Sequence, residues 1–229
     1  MPARTPQQPE SPGRKEDQGQ MSTSDTSAAS AVRTTTLADF LDRDQVMDIG
    51  IRPLWAPVPR IAGPAFTVRC PGGDNLMLHA AIYRAEPGSV IVAESGDLDY
   101  ALAGGNVCAV AQRRGIAGFV LDGLIRDLDE VRQLGFPVFA RGVIPKPGAK
   151  NEVTQLTAPV RCGGVRVSAA DLVVADEDGV VVVPKYHQEE VLRQALAKAE
   201  HEDRQSLDDW EAAHRARIDH ILSQRGAAH

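Results

Sequence analysis

A chain of 229 residues, 43% hydrophobic and 24% charged, has the length and composition of one sizeable globular domain with room for extensions. Its formal charge of −6 argues against nucleic acid as the main partner, because phosphate binding needs a basic face. Cys70, Cys108 and Cys162 form no CxxC pair, so neither a zinc site nor a disulfide framework is indicated, and buried free thiols in a reducing cytoplasm are expected.

Residues 1–33 contain no Leu, Ile, Phe, Trp or Tyr. Such a segment buries too little to offset its chain entropy, so a disordered extension is expected, and a chain starting at Arg33 should fold as the whole one does. It has no apolar stretch of the secretory kind, and nowhere does an apolar run approach the roughly 18 residues that span a bilayer. Met21 offers a second possible start.

From Thr35, TTTLADFLDRDQV gives a hydroxyl cap followed by apolar residues at helical spacing. A proline-rich extended segment then enters a strand at Ala65–Cys70. A helix over Asn75–Arg84 and a short apolar strand in PGSVIVAES follow. Next come a helix over Asn106–Arg114, a strand over Ala117–Leu121, a helix over Leu128–Leu134 and a strand over Phe136–Ala140. Strands alternating with helices indicate βαβ units and a largely parallel sheet. Glu177-Asp178-Gly179 marks a tight turn, so Leu172–Ala175 and Val180–Val183 should pair as a hairpin. The 34–186 segment is thus one α/β domain. Residues 187–229 form a helical extension, with Val191, Leu192, Ala195, Leu196 and Ala199 on one face. Packing on a neighbouring subunit is expected of it, folding back on its own sheet being the alternative.

Chemistry concentrates between Gly104 and Gly148. Gly104 and Gly105 lie where a loop enters a helix, and bare backbone there lets an anion approach free N–H groups and the positive helix end. In DGLIRD, Arg126 and Asp127 follow a strand closely, at the carboxyl edge where open α/β sheets bind ligands. Arg126 can grip a carboxylate bidentately, and Asp127 offers the hard oxygen that Mg²⁺ or Mn²⁺ accepts. Spacing alone favours a plainer reading, an Arg–Asp pair capping the next helix.

The run from Gly104 to Pro145 resembles the family of 4-hydroxy-4-methyl-2-oxoglutarate aldolase and the regulator of ribonuclease E activity A. MDIGIRPL, IAGPAFTVR, DNLMLHAAI, PGSVIV and DLVVADEDGVVVVP extend the resemblance from about Thr35 to Pro184. It implies a swivelling-type α/β/α sandwich with a central, largely parallel sheet, assembled as trimers or hexamers with sites between subunits. It also implies that backbone amides over Gly104, Gly105, Asn106 and Val107 hold the oxo-acid end of a substrate, that Arg126 contacts substrate, and that Asp127 binds the metal.

This chain departs from the family's pattern at Gly105, where an acidic residue is usual. Glu130, three residues on from Asp127 along a helix, could take its place, as could Asp74, or Glu202 reaching a neighbour's site. Each is also readable as a surface or capping residue, and His79 as a packed histidine. No lysine is placed for an imine, which fits metal-dependent aldol chemistry. The function implied is carbon–carbon lysis of 4-hydroxy-2-oxo acids to pyruvate, with oxaloacetate decarboxylation through the same enolate. The rival is a non-enzymatic regulator of the ribonuclease E type, which needs a protein-binding surface rather than Asp127. A menaquinone methyltransferase is set aside, for want of a GxG-type loop after a first strand.

Overall fold

The computed structural model describes residues 23–225. In chain order it has α1 (Thr23–Ala31), α2 (Thr34–Ala38), β1 (Arg52–Pro53), β2 (Ile61–Cys70), α3 (Leu76–Ala81), β3 (Val90–Ser95), β4 (Ala101–Ala103), α4 (Gly105–Arg113) and β5 (Gly118–Ile125). Then come α5 (Leu128–Leu134), β6 (Val138–Val143), β7 (Val160–Cys162), β8 (Val165–Val167), β9 (Leu172–Asp176), β10 (Gly179–Val183), α6 (Gln188–Arg204) and α7 (Leu207–Gln224).

The main sheet runs β1-β6-β5-β3-β2-β9-β10, with β4 added on β5. The pairs β2–β3, β3–β5, β4–β5 and β5–β6 are parallel, as alternating strands and helices require. Antiparallel pairs lie toward its margins: β1 on β6, β2 on β9, and the expected hairpin, β9 with β10, in which Gly179 faces Asp176 across Glu177 and Asp178. A bridge between Val46 and Val181 draws the two ends together, so the sheet is nearly closed.

Strand alternation assigns each face its own core. Val90, Val92, Val120, Val173 and Val182 point inward, where Cys162, Val165 and Val167 of the β7–β8 hairpin complete the packing. Ile91, Ala93, Phe119 and Leu121 point outward beneath α3, α4 and α5. Leu172, Val174, Val181 and Val183 lie under α1, α2 and α6. Period-2 burial explains why a one-residue slip would be costly: it would turn every valine to the wrong core.

Three expectations change. Disorder was expected through residue 33, yet Thr23–Ala31 is helical, with Ala29 and Val32 at 0% and 1% exposure. These small side chains fill the third core, and Arg60 Nη1 donates to the Ser30 and Ala31 carbonyls. Residues 1–22 lie outside the described residues. The terminal helix is two helices, because Gln205 turns extended and Ser206 caps α7, its hydroxyl accepting from the Asp209 amide. Finally, α6 buries Val191, Leu192 and Ala195 on its own sheet, the alternative reading of this segment, whereas α7 buries no residue within the chain.

Candidate active site

β5 is longer than its apolar run suggests. A register shift against β6 between Leu121 and Leu124, together with pairing to β4, carries it past Asp122–Gly123 to Ile125. Arg126 and Asp127 therefore sit directly at its carboxyl end. There the Arg126 amide donates to the Ala103 carbonyl at 2.9 Å, fastening the end of β5 to the turn that opens α4.

Asp127 adopts φ 58°, ψ 42°, the left-handed region, at the position that precedes α5. Aspartate tolerates this better than most residues, but it remains a sparsely populated conformation. Its side chain makes no capping hydrogen bond to α5. It turns instead toward α4, where Oδ2 accepts from the Gly105 amide at 3.2 Å and lies 3.5 Å from Arg126 Nε. The helix-cap reading thus fails.

Gly104 is required by close approach. A Cβ there would run into the Asp127 carboxylate and the Arg126 side chain. The four expected backbone donors are not equivalent. Gly105 is already engaged by Asp127, and the Cys108 amide closes the first helical bond onto the Gly104 carbonyl at 3.0 Å. Among the described residues, the Asn106 and Val107 amides have no partner, and they point out of the helix N-terminus where an anion is favoured.

Gly104, Asn106, Val107, Arg126 and Asp127 line one cleft of about 80 Å³. Asn75, His79 and Lys150 line the same cleft. Lys150 arrives there because the Ala149 amide donates to the Gly73 carbonyl and the Asn75 amide to that of Ala149. Sequence reasoning did not single out Asn75 or Lys150, which loop–loop contacts across more than seventy positions bring to the cleft; His79, read as a packed histidine, lines the cleft with its Nε2 buried.

The other acidic candidates separate. Glu130 packs its carboxylate into the space that a side chain at Gly105 would need. Asp74, 2% exposed, spends its oxygens on the Leu76, Asn151 and Glu152 amides and is structural. Burial pushes its pKa up, but those amides and Lys150 outweigh that and hold it below the usual carboxylate value. Glu202 pairs with Lys198 beside α2, in a different depression of the same chain. Burial drives the Cys108 thiol, in α4, up to about 12, and Cys70 up to about 11, so neither is a nucleophile.

Asp127 fits a divalent ion. Both its contacts engage Oδ2, which leaves Oδ1 without a donor among the described residues. Among the described residues no three His, Cys, Asp or Glu gather to hold an ion by themselves. A single carboxylate suits Mg²⁺, which keeps most of its waters, better than it suits zinc.

A family model for RraA-like proteins (aldolase/RraA) matches residues 34–182. The chain belongs to this family. A relative from Halalkalibacterium halodurans with the provisional name 4-hydroxy-4-methyl-2-oxoglutarate aldolase is 40% identical over 195 residues, covering 85% of this chain and 89% of its own. One of the same name from Burkholderia multivorans is 34% identical, covering 60% and 84%. These names support a lyase family. Among solved structures, the RNA-processing inhibitor RraA from Thermus thermophilis has a TM-score of 0.61 at 30% identity, covering 67% of this chain and 93% of its own. An RNase ES inhibitor-family protein, RraAS2 of Streptomyces coelicolor, reaches 0.70 at 28%, covering 81% and 96%. No helix among the described residues is long and apolar enough to cross a membrane.

Proposed function

We propose that this RraA-like chain is a divalent-metal-dependent aldolase that cleaves 4-hydroxy-2-oxo acids, such as 4-hydroxy-4-methyl-2-oxoglutarate, to pyruvate, with oxaloacetate decarboxylation as a side activity. The observation that carries this reading is Asp127. It is held in a left-handed conformation with its carboxylate turned off its own helix and into the cleft beside Arg126.

Asp127 would hold Mg²⁺ or Mn²⁺, which when bound supplies Lewis-acid polarisation of the keto group. Arg126 and the free Asn106 and Val107 amides orient the oxo-acid end and take up the negative charge that grows as the carbon–carbon bond breaks. Glu130 supplies a carboxylate beside Gly105, where the family's pattern has an acid, and serves to place a water for removal of the 4-hydroxyl proton. Glu202 cannot join this cleft within one chain and would act only from a neighbouring copy of a trimer or hexamer.

The deciding measurement is pyruvate release by purified protein over a panel of 4-hydroxy-2-oxo acids and oxaloacetate, with Mg²⁺ or Mn²⁺ and with a chelator. Metal-dependent release is expected. The RNA-processing inhibitors among the structural relatives favour one alternative, a protein-binding regulator. No turnover of any substrate, with ribonuclease inhibition that survives Asp127→Asn, would select it.

A further inference from the structure

Helix α7 is amphipathic, yet it buries nothing in its own chain. Leu207, Trp210, His214, Ile218 and Ile221 follow one another at spacings of three or four residues, and Leu222 widens the stripe they form. All six are exposed, and the His214 ring stacks on that of Trp210 with centroids 4.5 Å apart. Among the described residues no side chain of α7 makes a hydrogen bond or ion pair outside the helix and its cap. A helix of 18 residues is marginal in water unless its apolar face packs on something. The stripe therefore calls for a partner.

The order of charges says which. Before His214, α7 carries Asp208, Asp209 and Glu211 and no Lys or Arg; after it come Arg215, Arg217 and Arg225, against Asp219 alone. The signs reverse from one end to the other. The surface that complements them is a second α7 laid antiparallel, the acidic half of each helix on the basic half of the other. A parallel pairing would set like charges together. The helix macrodipole also favours acids first and bases last, but it accounts for neither the apolar stripe nor its exposure. α7 lies beyond residue 182, where the shared family domain ends.

We propose that α7 is a docking helix through which two copies of this chain join by antiparallel, two-fold α7–α7 contact. Whatever number of copies the α/β domain assembles into without it, α7 doubles that number. A trimeric domain becomes a hexamer. The inference needs neither the lyase reading nor an occupied cleft.

The test is light scattering on the full chain at low salt, where exposed charges are least screened. Arg215→Glu with Arg217→Glu makes both halves of α7 acidic, and Asp208→Lys with Glu211→Lys makes both net basic. Each double variant alone should show half the wild-type mass. An equimolar mixture of the two should return to the wild-type mass, because each helix then meets its complement. Ser206 and Asp209, which cap the helix, are left unchanged. Ile218→Asp with Ile221→Asp breaks the stripe and should also halve the mass. Melting curves show that the α/β domain of each variant stays folded. Wild-type mass kept by the stripe variant, or by both charge variants, overturns the pairing. A mixture that stays at half mass overturns it as well, whether or not its components keep α7 helical alone, since the pairing is what holds the helix. Charges that served only the macrodipole would give no recovery on mixing.

Discussion

Asp127 shows how one side chain can be read from its backbone. Its φ of 58° is compatible with Asp or Asn and little else of its size. Asp127→Asn therefore keeps the local conformation and a hydrogen-bonding oxygen for the Gly105 amide while removing the charge that holds a divalent ion. Metal-dependent pyruvate release should be abolished with little change in Tm. Arg126→Lys keeps charge but loses the planar fork, and should weaken use of the oxo acid by about 1.5–3 kcal/mol in kcat/KM, the range for hydrogen bonds to charged groups. Unchanged turnover in Asp127→Asn would defeat the proposed role of this pair.

At the scale of elements, Asp74 is the brace that joins α3 to the loop beside it at the cleft. It ties the start of α3, through Leu76, to the loop carrying Lys150, through Asn151 and Glu152. Asp74→Asn turns an amide donor toward at least one of those N–H groups, leaving it unmet, and should cost about 1–3 kcal/mol at pH 7. The sign of the pH effect follows from its depressed folded pKa. The stabilising contribution is complete above the unfolded value, about 3.9, and is lost as pH falls through the lower folded value. Denaturant titrations should therefore show the gap between wild type and Asp74→Asn narrowing only in strong acid. A gap that closes between pH 5 and 7 would contradict this account.

Across the whole molecule, two features reach beyond the sheet. α1 is part of the third core, so a chain beginning at Arg33 should melt several degrees below one beginning at Ser22. The loss of buried Ala29 and Val32 and of the Arg60 contacts is enough to register. Equal melting temperatures would show that this helix adds nothing. α7 leaves Trp210, Ile218, Ile221 and Leu222 between 39% and 50% exposed, a surface consistent with the proposed trimer or hexamer. Light scattering at micromolar concentration should give a trimer or a multiple of it, and a fully active monomer would refute shared sites.

The parallel order of the sheet, the β9–β10 hairpin and the place of Arg126 and Asp127 just after a strand were legible in the chain itself, because apolar periodicity, turn residues and motif spacing are local. The sequence also offered Glu130, beside Asp74 and Glu202, as a candidate for the acid missing at Gly105. Ala29 and Val32 look too sparse to order a helix until β2, β9 and α6 provide the surface that covers them. Only the fold could show that Asp127 turns from α5 to α4, that Asp74 is spent on loop amides, and that Asn75, His79 and Lys150 face the same cleft. Those facts depend on the β5 register shift and on hydrogen bonds between loops far apart in sequence, and no local pattern encodes a contact whose two halves are ordinary until they meet.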